Sequence, residues 1–257
     1  MNKALIAGAT GVVGRYLLKH LVRTRAWEII AVSRRKPDIP GNYEHVAVDL
    51  LNGADCHAGL ARLRDVTHVF FAAYVDRPTP QALVSANLAA LRNLLEVVEE
   101  TSPALQHVHL VEGTKWYGSH LGPFKSPAKE SDPRIAQTLF YYDQQDYLES
   151  RQKGKRWSWS AIRPHTVCGF AVGNPMNLTT VIAVYAAICK ELGLPFSHSG
   201  EPENYRILYQ ATDSDLLARA IEWMATSPNC VNQAFNVTNG DLFRWQDLWP
   251  KIAGVFE

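Results

Sequence analysis

Three groups of residues in this chain have the types and spacing to do chemistry on a small molecule. The first is Gly8-Ala9-Thr10-Gly11-Val12-Val13-Gly14. Glycines in this pattern allow a tight turn, close approach of backbone to a pyrophosphate, and tight helix–strand packing. A helix that starts there offers free N–H groups and a partial positive charge to phosphate oxygens. The second group is Ser33-Arg34-Arg35. An NAD site usually carries Asp or Glu at this point, to accept from the ribose 2′-hydroxyl. Two guanidiniums instead suit a 2′-phosphate through forked, charge-assisted bonds, which points to NADPH/NADP+. The third group is Lys115 with the pair Tyr141-Tyr142. Many enzymes with such a glycine loop use Tyr-x-x-x-Lys, which puts both side chains on one helix face. None of the ten tyrosines here has Lys four residues later; Tyr142 has Asp146 and Tyr147 has Arg151. Either the chain lacks this chemistry or its lysine arrives from another segment, and Gly113-Thr-Lys115-Trp-Tyr-Gly118 offers one.

These groups need a scaffold, and the apolar pattern predicts it. Strand-length runs at 4–7, 28–33, 43–48, 66–73, 105–111 and 158–163 alternate with helix-period segments at 15–23, 82–99 and 140–151. That alternation predicts βαβ units: an α/β, Rossmann-type doubly wound parallel sheet with helices on both faces. The glycine loop then follows the first strand and opens the first helix. Arg34 and Arg35 follow the second strand. Asp49 and Leu50 follow the third and would sit by the adenine, where Asp can bond the exocyclic amine. Ala72 and Ala73 end the fourth. Lys115 follows the fifth, at the carboxyl edge where open parallel sheets bind ligands. Pro164, Thr166 and Val167 follow the sixth, where backbone would meet the nicotinamide carboxamide. After Gly169 the texture changes: an apolar helix at 176–192, a polar stretch at 195–206, a helix at 213–224 and a short strand at 234–237. The expected division is an NADP(H)-binding domain over 1–170 and substrate-binding segments over 171–257, partly interleaved with the sheet. The stretch 118–137 reads as a long loop, the kind that often covers substrate.

Composition narrows the function classes. The 257 residues are 47% hydrophobic and 20% charged, as in an ordinary globular protein. Lys+Arg (26) almost cancels Asp+Glu (25), so there is no electrostatic case for nucleic acid or an acidic membrane surface. No apolar run approaches the roughly 18 residues of a membrane span. The four cysteines are far apart, with no Cys-x-x-Cys, which fits a reduced, cytoplasmic protein rather than a zinc or disulfide scaffold. His107 and His109 read as strand residues, not metal ligands. Asp213-Ser-Asp215 reads as a helix cap. Trp157, Trp159, Trp245 and Trp249 read as packing.

Taken together, the motifs resemble the progesterone 5β-reductase/iridoid synthase-like family, an atypical branch of the extended short-chain dehydrogenases. The matching segments are the glycine loop, the basic pair, Gly113-Thr-Lys-Trp-Tyr-Gly118, Gly122-Pro-Phe124 and Leu139-Phe-Tyr-Tyr-Asp-Gln-Gln-Asp146. Arg163-Pro-His-Thr-Val-Cys-Gly-Phe170, Met176-Asn177, Ala186-Ala-Ile-Cys-Lys190 and Ala234-Phe-Asn-Val-Thr-Asn-Gly-Asp241 extend the match. The resemblance runs essentially end to end.

The resemblance implies NADPH-dependent reduction of a C=C bond conjugated to a carbonyl. Hydride adds to the β-carbon, and a tyrosine hydroxyl stabilises the enolate oxygen. Adjacent helical residues lie about 100° apart, so geometry alone leaves Tyr141 and Tyr142 open; the resemblance selects Tyr141. It assigns Lys115 to holding the ribose and cofactor or favouring the charged form of the tyrosine. The implied partner is a small hydrophobic enone, and a homodimer is compatible with this reading. By position, Phe70, Phe71, Trp116, Phe124, Phe170, Met176 and Tyr205 would line the substrate pocket. Three departures stand out: Trp116 replaces a family histidine, Gln145 replaces a family glutamate, and the 124–140 loop is short. They are expected to bear on substrate choice more than on hydride chemistry. The plant relatives continue beyond Glu257, so a compact member with an open pocket and a chain lacking its C-terminal lid are both expected forms. Two other functions compete: a conventional carbonyl reductase or epimerase/dehydratase, disfavoured by the missing Tyr-x-x-x-Lys, and a non-catalytic NADP(H)-binding regulator, disfavoured by the retained Lys115 and tyrosine pair.

Overall fold

The computed structural model describes residues 1–173 and 177–256. Its order is β1 (Asn2–Ala7), α1 (Val12–Thr24), β2 (Trp27–Val32), β3 (Glu44–Val46), α2 (Gly53–Leu60), β4 (His68–Phe71), α3 (Pro80–Thr101) and β5 (His107–Val111). A 3-10 turn (Thr114–Tyr117) leads to α4 (Phe140–Gln152), β6 (Ser158–Pro164), β7 (Val167–Cys168), α5 (Leu178–Leu192) and α6 (Pro202–Arg206). The chain ends with β8 (Thr212–Asp213), α7 (Ser214–Thr226), a 3-10 turn (Pro228–Cys230), β9 (Gln233–Val237) and α8 (Trp245–Phe256). Seven strands form one parallel sheet in the order β3-β2-β1-β4-β5-β6-β9, with β7 and β8 paired apart from it. The order reverses between β1 and β4, which is where such sheets open a ligand crevice.

Both faces of the sheet are covered, so its central strands bury side chains on both sides and do not alternate between apolar and exposed polar residues. Leu5 enters a core built with Leu91, Leu94 and Leu95 of α3, while its neighbour Ile6 enters the opposite core with Leu17, Leu18 and Leu21 of α1. Each fully buried leucine of that α1 face contributes about 1.5–3 kcal/mol. Leu217 and Ile221 of α7 complete the same layer. Thus α7 and β9, both beyond residue 170, pack onto and extend the sheet. Helix starts follow local chemistry: Thr79 accepts from the Ala82 N–H before α3, and Asp213 Oδ1 accepts from the Leu216 N–H at 2.8 Å before α7.

Several expected boundaries differ. The apolar pattern does not signal α2 or α8. α2 turns only Cys56 and Leu60 into the core, too little for a periodic signal, and rests on its Asn52 cap. α8 carries Pro250 within it and buries Trp245 and Trp249. The polar stretch 195–206 contains the short α6. Asn177 caps α5 through its side chain; Met176 lies outside the described residues. No described helix is long and apolar enough to cross a membrane.

Candidate active site

The glycine loop is shaped by close contact. Gly8 has φ +80°, and a Cβ there would lie 2.7 Å from the backbone of Ala72 and Ala73. A Cβ on Gly14 would meet the Gly8 carbonyl oxygen at 2.3 Å. These contacts draw β1, the end of β4 and α1 together at the crevice. Gly11 caps α1 with no side-chain bond, and the first turn carries no acid. The loop and helix start therefore keep N–H groups and dipole for an anion.

Beside the loop, Thr10, Arg34 and Arg35 line a cavity of about 310 Å³. Both arginines are exposed, and neither makes an ion pair with another described residue. Ser33, named with them as a cofactor-binding residue, shapes the bend between β2 and the arginines. Its hydroxyl donates to the Arg35 carbonyl at 2.7 Å, and His45 Nε2 lies 3.0 Å from the Ser33 carbonyl. Ser33 thus sets the bend that presents the arginines. Asp49 accepts from the Leu51 N–H at 3.1 Å and remains exposed beside the half-buried Leu50. Val12 and Val13 are half-buried at the start of α1.

Across the crevice, Glu112-Gly113 follow the fifth strand, and the 3-10 turn carries exposed Lys115. A Cβ on Gly113 would lie 3.2 Å from the Tyr141 hydroxyl and 3.5 Å from the Pro164 carbonyl oxygen. Tyr141 therefore reaches the junction between the lysine turn and the loop after β6. Its half-buried hydroxyl makes no hydrogen bond among the described residues. Burial, with Glu112 and Tyr74 nearby, pushes its pKa above the usual tyrosine range. Tyr142 is already engaged. Its hydroxyl donates to the Trp116 carbonyl at 2.6 Å and accepts from the Ile135 N–H at 3.1 Å.

The loop after β6 is tied to the same turn. Thr114 Oγ1 lies 2.7 Å from His165 Nδ1, and burial lowers the His165 pKa. Thr166 Oγ1 lies 2.5 Å from Tyr209 Oη, and Val167 begins β7. His165 contributes its ring as a brace.

The pocket expectation needs correction. Phe70 and Phe71 are each 1% exposed and point into the two cores, because β4 is covered on both faces. Trp116 is also buried, at right angles to Tyr142 and over the Arg163 guanidinium at 3.5 Å. Phe170 lies against Arg15 beside α1, on the glycine-loop side. Phe124 is exposed, and Tyr205 packs against His198 with the rings tilted by 46°. Met176 lies outside the described residues.

Sequence reasoning missed a buried polar cluster beneath the site. Arg163 Nε donates to Glu112 Oε2 at 2.7 Å, with the side chains 2% and 0% exposed. Arg163 also donates to Gln145 Oε1 at 3.0 Å and to Tyr117 Oη at 3.2 Å. Tyr117 in turn donates to Asn236 Oδ1 at 2.8 Å. Trp116 and Gln145, two of the departures noted above, both touch Arg163 rather than an open pocket. A clue was present: Glu112 is the one acid closing a run of apolar and histidine residues.

Comparison with known proteins extends this picture. A model of the PRISE-like Rossmann-fold domain matches residues 47–257. The chain is 35% identical to an (S)-8-oxocitronellyl enol synthase of Antirrhinum majus, covering 99% of this chain and 68% of that protein. It is 36% identical to a 3-oxo-Delta(4,5)-steroid 5-beta-reductase of Arabidopsis thaliana, covering 98% of this chain and 69% of that one. Among solved structures, UDP-glucose 4-epimerase of Thermus thermophilus in complex with NAD superposes with a TM-score of 0.79 at 18% identity, covering 99% and 83% of the two chains. That likeness is one of fold.

Proposed function

The chain belongs to the PRISE-like Rossmann-fold family, and from that premise we propose that it is an NADPH-dependent enone reductase with Tyr141 as its oxyanion-binding hydroxyl. It is an oxidoreductase acting on the C=C bond of an α,β-unsaturated carbonyl. The observation that carries the assignment of Tyr141 is the contrast between the two tyrosines: Tyr142 has both hydroxyl roles filled by backbone, while Tyr141 has neither.

The residues present fit a dinucleotide. The Gly8–Gly14 contacts leave no room for side chains where the backbone must approach a pyrophosphate. Ala72, Ala73, Asp49 and Leu50 border the adenosine side of the crevice in this reading. Arg34 and Arg35, with Thr10, offer a cationic recess of the right sign for a 2′-phosphate. Pro164, Thr166 and Val167 flank the nicotinamide end. When bound, the cofactor supplies the hydride that adds to the substrate β-carbon.

This chain's own residues do the rest. With its pKa raised, Tyr141 stays a neutral hydroxyl at neutral pH and donates to the carbonyl oxygen as negative charge gathers there. Lys115, on the adjoining turn, holds the ribose of the cofactor. The enolate is then protonated at the α-carbon by a proton taken up from solvent. Residues 1–170 supply the cofactor side, and 171–257 contribute β9 and the helices beside the substrate. NADPH consumption with a panel of conjugated enones and enals tests the reading. Turnover confined to saturated ketones or sugar nucleotides would replace it with a conventional dehydrogenase or epimerase.

A further inference from the structure

We propose that Glu112 is a positioning residue for this reaction: through its buried pair with Arg163 it holds the Lys115 turn in register with Tyr141. The inference rests on the enone-reductase reading for its kinetic consequence, but not for its structural one.

The geometry is continuous from the carboxylate to the turn. Glu112 directly follows β5, and its N–H donates to the Ile162 carbonyl at 2.9 Å, so its backbone is anchored to the neighbouring strand β6. Its carboxylate bonds Arg163 Nε from one side, and Gln145 of α4 bonds Nη2 from another. The guanidinium carbon then lies 3.5 Å from the Trp116 ring centroid, and Nη1 meets the Tyr117 hydroxyl. Trp116 and Tyr117 are the two residues that follow Lys115. One fully buried cation thus fixes the far half of the lysine turn, and Glu112 is the sole carboxylate bonded to it among the described residues. A buried guanidinium stripped of its partner is strongly unfavourable, so loss of the Glu112 charge must move Arg163 and whatever rests on it.

The carboxylate is poised to lose that charge. Burial raises its pKa to about 7, against the opposing pull of Arg163. Its second oxygen, Oε1, is buried without a hydrogen-bond partner. The other charged or titratable groups facing it are Arg134 from the 118–137 segment, and Glu149, Tyr141 and Tyr142 from α4. Gln145, whose amide donates to Glu149 at 2.6 Å, occupies the place from which a carboxylate would reach Arg163 Nη2 directly.

The test uses Glu112→Gln and the double variant Glu112→Gln/Gln145→Glu, which moves the charge across the guanidinium. Without substrate, the Trp116 indole resonance in ¹⁵N-labelled protein, assigned with Trp116→Phe, should titrate near pH 7 in wild type. In Glu112→Gln it should not. A Trp116 resonance that Glu112→Gln leaves unmoved at pH 8 overturns the coupling, whatever the protein's substrate. With an enone substrate, Glu112→Gln should lower kcat about 10- to 100-fold, as a small misplacement of positioning groups does. NADPH affinity should fall by a smaller factor than kcat, and the acid-side inflection of kcat near pH 7 should vanish. The double variant should recover most of the lost kcat. Wild-type kcat and pH profile in Glu112→Gln would overturn the proposal, as would a loss that the double variant leaves in place. Should Glu112→Gln fail to fold, the double variant decides: folding with turnover supports the proposal, and folding without turnover overturns it. A wild-type protein that reduces no enone, yet shows the titrating resonance, would sink the reductase reading alone.

Discussion

The Tyr142 hydroxyl donates to the main-chain carbonyl of Trp116 across 2.6 Å, stitching the start of α4 to the lysine turn. That one bond divides the labour between two adjacent tyrosines. Tyr142→Phe should unfold at lower denaturant, because it leaves a buried carbonyl and the Ile135 N–H short of a partner, at a cost of about 1–3 kcal/mol. Tyr141→Phe should keep wild-type stability and lose about 100- to 1,000-fold in kcat, the range for one oxyanion donor. Urea melts beside steady-state kinetics measure both. The reverse pattern would move the chemistry to Tyr142.

Gly113 leaves the space that the Tyr141 hydroxyl uses. A methyl group there would lie 3.2 Å from that oxygen, closer than most carbon contacts allow. Gly113→Ala should therefore shift Tyr141 and reduce kcat by about 10- to 100-fold, while the cofactor dissociation constant changes little. Unchanged kcat would show that Tyr141 sits elsewhere during turnover.

Arg34 and Arg35 are exposed beside Thr10 and have no carboxylate of their own among the described residues. Replacing both with alanine should weaken NADPH binding at least about tenfold, since hydrogen bonds to charged groups contribute roughly 1.5–3 kcal/mol each. NADH binding should hardly change. Fluorescence titration with the two cofactors reads the difference directly, and equal losses for both would remove the 2′-phosphate assignment.

His68, His107 and His109 lie in neighbouring strands, buried and bonded to Thr67, Ser158 and Ser160. Burial lowers the pKa of His68 to about 4 and of His107 to about 3, and His109 also falls. The folded protein keeps them neutral, whereas the unfolded chain takes up protons below about pH 6.5. Their contribution is therefore full above that pH and is lost as pH falls through about 4 for His68 and about 3 for His107, at about 1.4 kcal/mol per unit for each group. Glu112 acts in the opposite sense: its raised pKa favours the folded state as pH falls from about 7 toward the ordinary carboxylate range, offsetting part of the loss. Urea denaturation at pH 7.5 and pH 5 should show a net fall for wild type and a smaller one for His68→Gln/His107→Gln. Equal falls would place the acid sensitivity elsewhere.

Much of the site was legible because its signals are local. The glycine loop sits between a strand and a helix within a few residues, and Arg34-Arg35 and Lys115 follow strands recognisable by apolar runs. What remained hidden depends on contacts between distant segments. Tyr141 and Tyr142 differ only in what their hydroxyls meet, and Trp116 and Ile135 come from outside the helix. Glu112 and Arg163 are 51 positions apart and meet only because β5 and β6 pair. Phe70 and Phe71 looked like pocket residues from their place at a strand end, yet helices on both faces bury them. Trp116 and Gln145 drew notice as departures from a motif. Their shared partner Arg163 is visible only in three dimensions.

The measurement closest to the central claim follows the label from cofactor to product. With NADPH deuterated at the transferable position of nicotinamide C4 and a conjugated enone, the product should carry deuterium at the β-carbon and retain its carbonyl. Tyr141→Phe should make the same product far more slowly. Deuterium at the carbonyl carbon, in an allylic alcohol, would contradict enone reduction and make the protein a carbonyl reductase.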